Sequence, residues 1–167
     1  MFNTTARSRM AATFLFACFF FVTREGAAAA ERDIDFRATT LTGTPFHGSE
    51  LAGKIVLLDF WAVWCPPCLK AIPTLSRLQR DLESSGFQVL GVASYSGSPE
   101  DVAAFVKEHD VHYPMVVGDD DLVERFDVIG YPTYFLIDTE GRIAKKYVGE
   151  LDDLYDIVAA DVAAFGN

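Results

Sequence analysis

Two cysteines stand at i and i+3 in the stretch Trp64-Cys65-Pro66-Pro67-Cys68, where an apolar run of strand length meets a helical pattern. On one helical turn two such Cα atoms lie roughly 5 Å apart, inside the window a disulfide spans. The loop closed is so small that the bridge removes little chain entropy, and it cannot tie distant segments together. The spacing therefore points to a bond that is made and broken, that is, to thiol–disulfide exchange. Position supplies an asymmetry. Cys65 is expected at the helix N-terminus, where free N–H groups and the dipole favour a thiolate. Cys68, one turn inside, is expected to be more buried and less reactive, which makes Cys65 the attacking sulfur and Cys68 the resolving one. Pro66 and Pro67 have no N–H, so the Cys68 N–H is the main donor left within the motif. Modest rather than extreme thiolate stabilisation follows, which suits a reductant or a balanced exchanger better than a strong oxidant.

Asp59 is the second residue with chemical content. It interrupts the apolar run Ile55–Trp61 six residues before Cys65. Burial raises a carboxylate's pKa toward the range where it relays protons, so Asp59 beneath the cysteines is expected to accept the Cys68 proton as that thiol attacks.

The elements that must hold these groups can be read from periodicity. Ile55–Trp61 and Phe87–Ala93 are continuous apolar runs, the mark of strands buried on both faces. Leu69, Ile72, Leu75, Leu78 and Leu82 recur at three and four residues, predicting an amphipathic helix from Pro67 to about Leu82 that ends at Gly86. Arg37–Leu41 and Thr44–His47 around Thr42-Gly43 read as a hairpin, as do Thr133–Asp138 and Arg142–Val148 around Thr139-Glu140-Gly141. Ser98-Pro99-Glu100-Asp101 is a helix start, with the helix running to about His109. Tyr113–Val117 is a short strand, Asp119–Asp121 precede a brief helix through Phe126, and Leu151–Ala164 is a closing helix. The order β-β-β-α-β-α-β-α-β-β-α indicates a layered α/β domain whose central sheet has one antiparallel edge.

The chain has 167 residues and a formal charge of −10. Such an acidic body repels phosphate backbones and anionic lipid, which disfavours nucleic acid as a partner. Residues 1–30 read as a signal peptide or N-terminal anchor: Arg7 and Arg9, then the apolar run Met10–Val22, then small residues at Ala27–Ala30. The run is shorter than the about twenty residues a bilayer-spanning helix needs. Cys18 lies inside it, with flanks that fit lipidation poorly. Residues 31–167 then form one domain, exported to the periplasm, soluble or tethered by its N-terminus, where disulfides persist.

The segment from Asp59 to Cys68, with Pro73 five residues on, resembles the thioredoxin active site. Gly130-Tyr131-Pro132-Thr133 resembles the loop in which that family's cis-proline faces the disulfide. The N-terminal hairpin, the extra strand–helix unit around Ser94–Val117 and the leader make the chain more similar to the exported TlpA/ResA-like branch. The resemblance, over about residues 35–165, implies a thioredoxin-like three-layer fold with a mixed sheet flanked by helices. It implies catalysis by Cys65, Cys68 and Asp59, with Trp64, Pro66, Pro67, Tyr131 and Pro132 contacting substrate. The Tyr131 backbone would pair with an extended substrate segment. Implied partners are protein disulfides or dithiols and an upstream membrane dithiol donor. No bound cofactor is needed, and the chain would act as a monomer.

Two departures matter. Ala71 stands where ResA-like reductases carry Glu, and Asp59 stands where they commonly carry Asn, which weakens the transfer of a cytochrome c maturation role. Tyr131 replaces the usual Val, Ile or Thr and would add an aromatic face beside the disulfide, or simply pack there. Trp61 and Trp64 read as packing around the motif. Asp119-Asp120-Asp121 reads as a solvated cap, and His47, His109 and His112 are scattered, so a zinc site lacks half its donors. The competing readings are a Cu(I) chaperone using the two thiolates, and a peroxidase of peroxiredoxin type, for which the Pro-x-x-x-Thr/Ser-x-x-Cys setting is missing.

Overall fold

A computed structural model of the chain describes Met1 and residues 33–165. The expected leader, with its apolar run and Cys18, lies outside the described residues. Seven strands form one sheet in the order β2-β1-β5-β4-β3-β6-β7. They are β1 (Arg37–Thr40), β2 (Pro45–His47), β3 (Ile55–Trp61), β4 (Phe87–Ala93), β5 (Met115–Val117), β6 (Thr133–Ile137) and β7 (Ile143–Val148). Four helices accompany them: α1 (Pro66–Leu82), α2 (Pro99–Glu108), α3 (Asp120–Arg125) and α4 (Leu154–Phe165). No helix among the described residues is long and apolar enough to cross a membrane.

The centre of the sheet is parallel, β5-β4-β3, and both flanks are antiparallel, β6-β7 on one side and β1-β2 on the other. One antiparallel edge was expected. The second arises because the N-terminal hairpin joins the same sheet through β1 and β5, a long-range pairing that no local pattern encodes. β5 starts at Met115 rather than Tyr113, because Pro114 has no N–H for a ladder; its carbonyl still accepts from the Gly91 N–H at 2.9 Å. α4 starts at Leu154 rather than Leu151. Asp152 and Asp153 form a turn, and the Asp153 carbonyl takes the first helical bond, from Ile157 at 3.0 Å. Aspartate favours that flanking position over the helix interior.

Alternation along β3 divides the core. Ile55, Leu57 and Trp61 join the cluster beneath α1, with Leu75, Leu78, Cys65 and Cys68. Val56, Leu58 and Phe60 pack on the other side with Leu122, Phe126 and Phe135. A period of two therefore aims Asp59, between Leu57 and Trp61, at the cysteine side of the sheet. Its register partner on β4 is Gly91, where a Cβ would come within 2.1 Å of the Met115 sulfur. Gly91 keeps that room for Met115 and puts no charged side chain next to Asp59.

Candidate active site

Cys65 is the N-cap of α1 and Pro66 and Pro67 open the helix, which presets its first turn. The Cys68 N–H donates to Cys65 Sγ at 3.3 Å, as expected of the one free donor in the motif. Cys65 and Cys68 form a disulfide with Cα atoms 5.3 Å apart.

The expected contrast in burial is absent, since each cysteine is 3% exposed. Both sulfurs belong to the buried cluster beneath α1 in the bonded state. The asymmetry lies in what each one borders. Cys65 lines an open groove of about 510 Å³ together with Trp64, Pro66, Pro67, Tyr95, Val123, Val128, Ile129, Gly130 and Tyr131, and Cys68 does not. Pro67 also lines a second, smaller cleft of about 180 Å³, with Ala71, Tyr134 and the Lys70–Glu150 ion pair, 3.2 Å apart.

The Tyr131–Pro132 peptide is cis. The Tyr131 ring meets the Trp64 ring edge-on at 5.8 Å, so the loop faces the motif across the groove and Tyr131 does present an aromatic face there. The two tryptophans part company: Trp61 is buried beneath the motif, whereas Trp64 is 60% exposed.

Asp59 is buried and reaches one hydroxyl, that of Tyr113, at 3.5 Å from Oδ2; its Oδ1 has no hydrogen-bond partner among the described residues. Removal from water dominates and the Tyr113 hydrogen bond offsets it only in part, so the carboxyl is pushed up to about 7. Burial, and then the neighbouring Asp59 charge, raise the Tyr113 and Tyr134 hydroxyls well above their ordinary range. Tyr134 is the register partner of Asp59 on β6.

Sequence reasoning missed the segment that holds the motif in place. Ser96 Oγ accepts from the Val63 N–H at 3.1 Å and donates to the Ser94 carbonyl at 2.9 Å. The Tyr95 carbonyl accepts from Trp64 Nε1 at 3.0 Å. Tyr95 adopts φ 51° and Gly97 φ 90°. The run Ser94-Tyr95-Ser96-Gly97-Ser98 is rich in the small polar residues of turns, a signal that marks a turn but not its destination. Ser96→Ala leaves the Val63 N–H without its partner, and a loss of about 1–3 kcal/mol in chemical denaturation is expected. An unchanged midpoint would show that water replaces the hydroxyl. Asp119, by contrast, is the cap expected of it, accepting from the Leu122 N–H at 2.9 Å.

The AhpC/TSA family model matches residues 30–146. Among curated relatives, the thiol-disulfide oxidoreductase ResA of Bacillus cereus is 30% identical over 132 residues, 78% of this chain and 76% of its own length. Among solved structures, a thioredoxin-family thiol:disulfide interchange protein of Chlorobium tepidum is 30% identical with a TM-score of 0.66, over 76% of this chain and 92% of that one. A secreted disulfide oxidoreductase of Mycobacterium tuberculosis is 26% identical with a TM-score of 0.66, over 79% and 97%.

Proposed function

Because this chain belongs to the AhpC/TSA family and is a thiol-disulfide oxidoreductase of the TlpA/ResA-like, thioredoxin-fold kind, we propose that it reduces protein disulfides outside the cytoplasm. The observation that carries this reading is the placement of Cys65, and not Cys68, on an open groove opposite the Tyr131–Pro132 loop. In the reduced protein the Cys65 thiolate attacks one sulfur of a substrate disulfide. The substrate S–S bond breaks, its first sulfur leaves as a thiolate that takes a proton, and a mixed disulfide forms. Cys68 then loses its proton to Asp59 and attacks Cys65 Sγ. The second substrate thiolate departs and the Cys65–Cys68 bond forms, two electrons having passed to the substrate. Asp59 suits that acceptor role because it alternates onto the face of β3 that Leu57 and Trp61 share with the cysteines. A carboxyl pushed up to about 7 is also, in its ionised fraction near neutral pH, a strong enough base to take a thiol proton. Trp64, Pro66, Pro67 and Tyr131 bind the client as lining of the groove, and Pro132 shapes the loop beside it, where the Tyr131 backbone pairs with an extended segment.

Export to the periplasm rests on the expected leader at residues 1–30, cleaved or kept as a tether, ahead of a domain at 31–167. A membrane dithiol protein closes the cycle by reducing the disulfide again. Maturation of cytochrome c or of a metal site is the narrower client assignment, and Ala71 in the smaller cleft weakens the first of these. The direction of exchange is tested by equilibrating the Cys65–Cys68 couple with glutathione or dithiothreitol buffers. A potential near or below about −250 mV is expected, and one near −120 mV would make the protein an oxidant.

A further inference from the structure

The groove beside Cys65 is walled largely by apolar and aromatic side chains. Ile129 is 84% exposed, Trp64 60% and Tyr95 57%, and all three line it. No Lys or Arg is among the residues that line it. The lining itself carries no charge, and Asp127, next to Val128 in the chain, is 3.9 Å from Lys146 Nζ. Val123 of α3 lines the groove, and Asp120 lies three residues earlier on that helix, one turn away on the same face. The Asp120 carboxylate acts electrostatically on the Tyr95 and Tyr131 hydroxyls, so it lies beside two of the groove's aromatic walls. The other acids of this helix start are turned elsewhere. Asp119 caps α3, and Asp121 lines a separate groove with Arg37 and Arg125. Lys146 bonds the Asp127 carbonyl at 2.9 Å and covers the Phe135 ring, outside the groove lining.

An apolar trough with a carboxylate beside its aromatic walls, on a chain of charge −10, is complementary to an apolar stretch followed by a cation. We infer that Asp120, with Tyr95 and Tyr131, forms a specificity subsite that selects client segments carrying Lys or Arg beyond an apolar residue next to the disulfide. The inference rests on the exchange chemistry proposed above and names its substrate class. The cation of the client stacks against the Tyr95 and Tyr131 rings and pairs with Asp120, while the apolar residue covers Ile129 and Trp64.

The test uses symmetric disulfide-linked dimers of a short peptide with Phe beside Cys, and with Lys, Gln or Glu two residues further along. The readout is the second-order rate at which each oxidises the reduced full-length protein, at low and at high salt. The expected order is Lys, then Gln, then Glu, with about a two- to fivefold advantage of Lys over Gln at low salt that shrinks as salt rises. Asp120→Asn is expected to bring the Lys-to-Gln ratio close to one. Asp156→Asn, which removes the same charge from the exposed face of α4, leaves the ratio intact. Equal rates for Lys and Gln in the unmodified protein would overturn the inference. A ratio that survives in Asp120→Asn, or falls equally in both variants, would also overturn it, since the preference would then come from the overall charge. Failure of the reduced protein to react with any of the three dimers would instead remove the exchange reading beneath it.

Discussion

Replacing Cys65 by serine is expected to reduce turnover of protein disulfides to the background rate of free thiols, while Cys68→Ala is expected to accumulate a covalent complex with the client. The two results differ because the sulfurs differ in place rather than in burial. Cys65 borders the groove, and Cys68 stands one turn behind it, off the lining. Without Cys65 no sulfur meets the incoming disulfide. Without Cys68 the first displacement still occurs, but nothing attacks the mixed disulfide from within, so it persists until an outside thiol arrives. Non-reducing gels and mass spectrometry of the trapped species check both outcomes, and the mass of the adduct names the client. Trapping by Cys65→Ser and not by Cys68→Ala would reverse the assignment of attacker and resolver.

Asp59→Asn is expected to make the folded protein more stable at high pH and to flatten its pH dependence. The Asp59 carboxyl titrates near 7 in the fold against 3.8 as a free group. Between these values the native protein holds a proton that the unfolded chain has released, so stability falls as pH rises. The contribution of the protonated group is therefore complete below about pH 4 and lost as pH climbs through about 7. The difference in titration amounts to about 4 kcal/mol at its fullest, an upper figure for what the amide recovers above pH 8. No cationic side chain accompanies the β4 register position, which is Gly91, and only the Tyr113 hydroxyl offsets the loss of water. Denaturant melts of both proteins from pH 4 to pH 9 check this; parallel slopes would show that Asp59 reaches water. The same substitution is expected to slow release of the mixed disulfide near neutral pH, because Cys68 loses its proton acceptor. Stopped-flow rates should then lack the inflection near pH 7 that the unmodified protein shows. Greater stability joined to slower chemistry separates a proton acceptor from a residue that merely packs.

Much of the frame was legible in residue order. The apolar run Ile55–Trp61, broken only by Asp59, is a strand over those same residues, its length and β-branched start suiting a strand covered on both faces. Leu75 and Leu78 are buried as the helical stripe requires, and Ser98 and Asp101 form a capping box at the start of α2. The errors fall where distant segments decide. The N-terminal hairpin gives the sheet its second antiparallel flank only because β1 meets β5. Tyr113 reaches Asp59 across 54 residues of chain. Tyr95 comes from the turn before α2, Val123 from α3, and Ile129 and Tyr131 from the loop before β6 to wall a single groove, and no local pattern joins these three segments.

What the sequence by itself determined is the chemistry: two thiols one helical turn apart behind a pair of prolines, and an acid set inside an apolar strand. Those are short-range facts, carried by covalent spacing and by period-two and period-3.6 patterns. Only the tertiary structure decided which sulfur meets a partner, how dry the surroundings of Asp59 are, and which charge overlooks the groove. Access, dielectric and complementarity are properties of neighbours, and in this chain the neighbours arrive from loops and strands far apart in sequence.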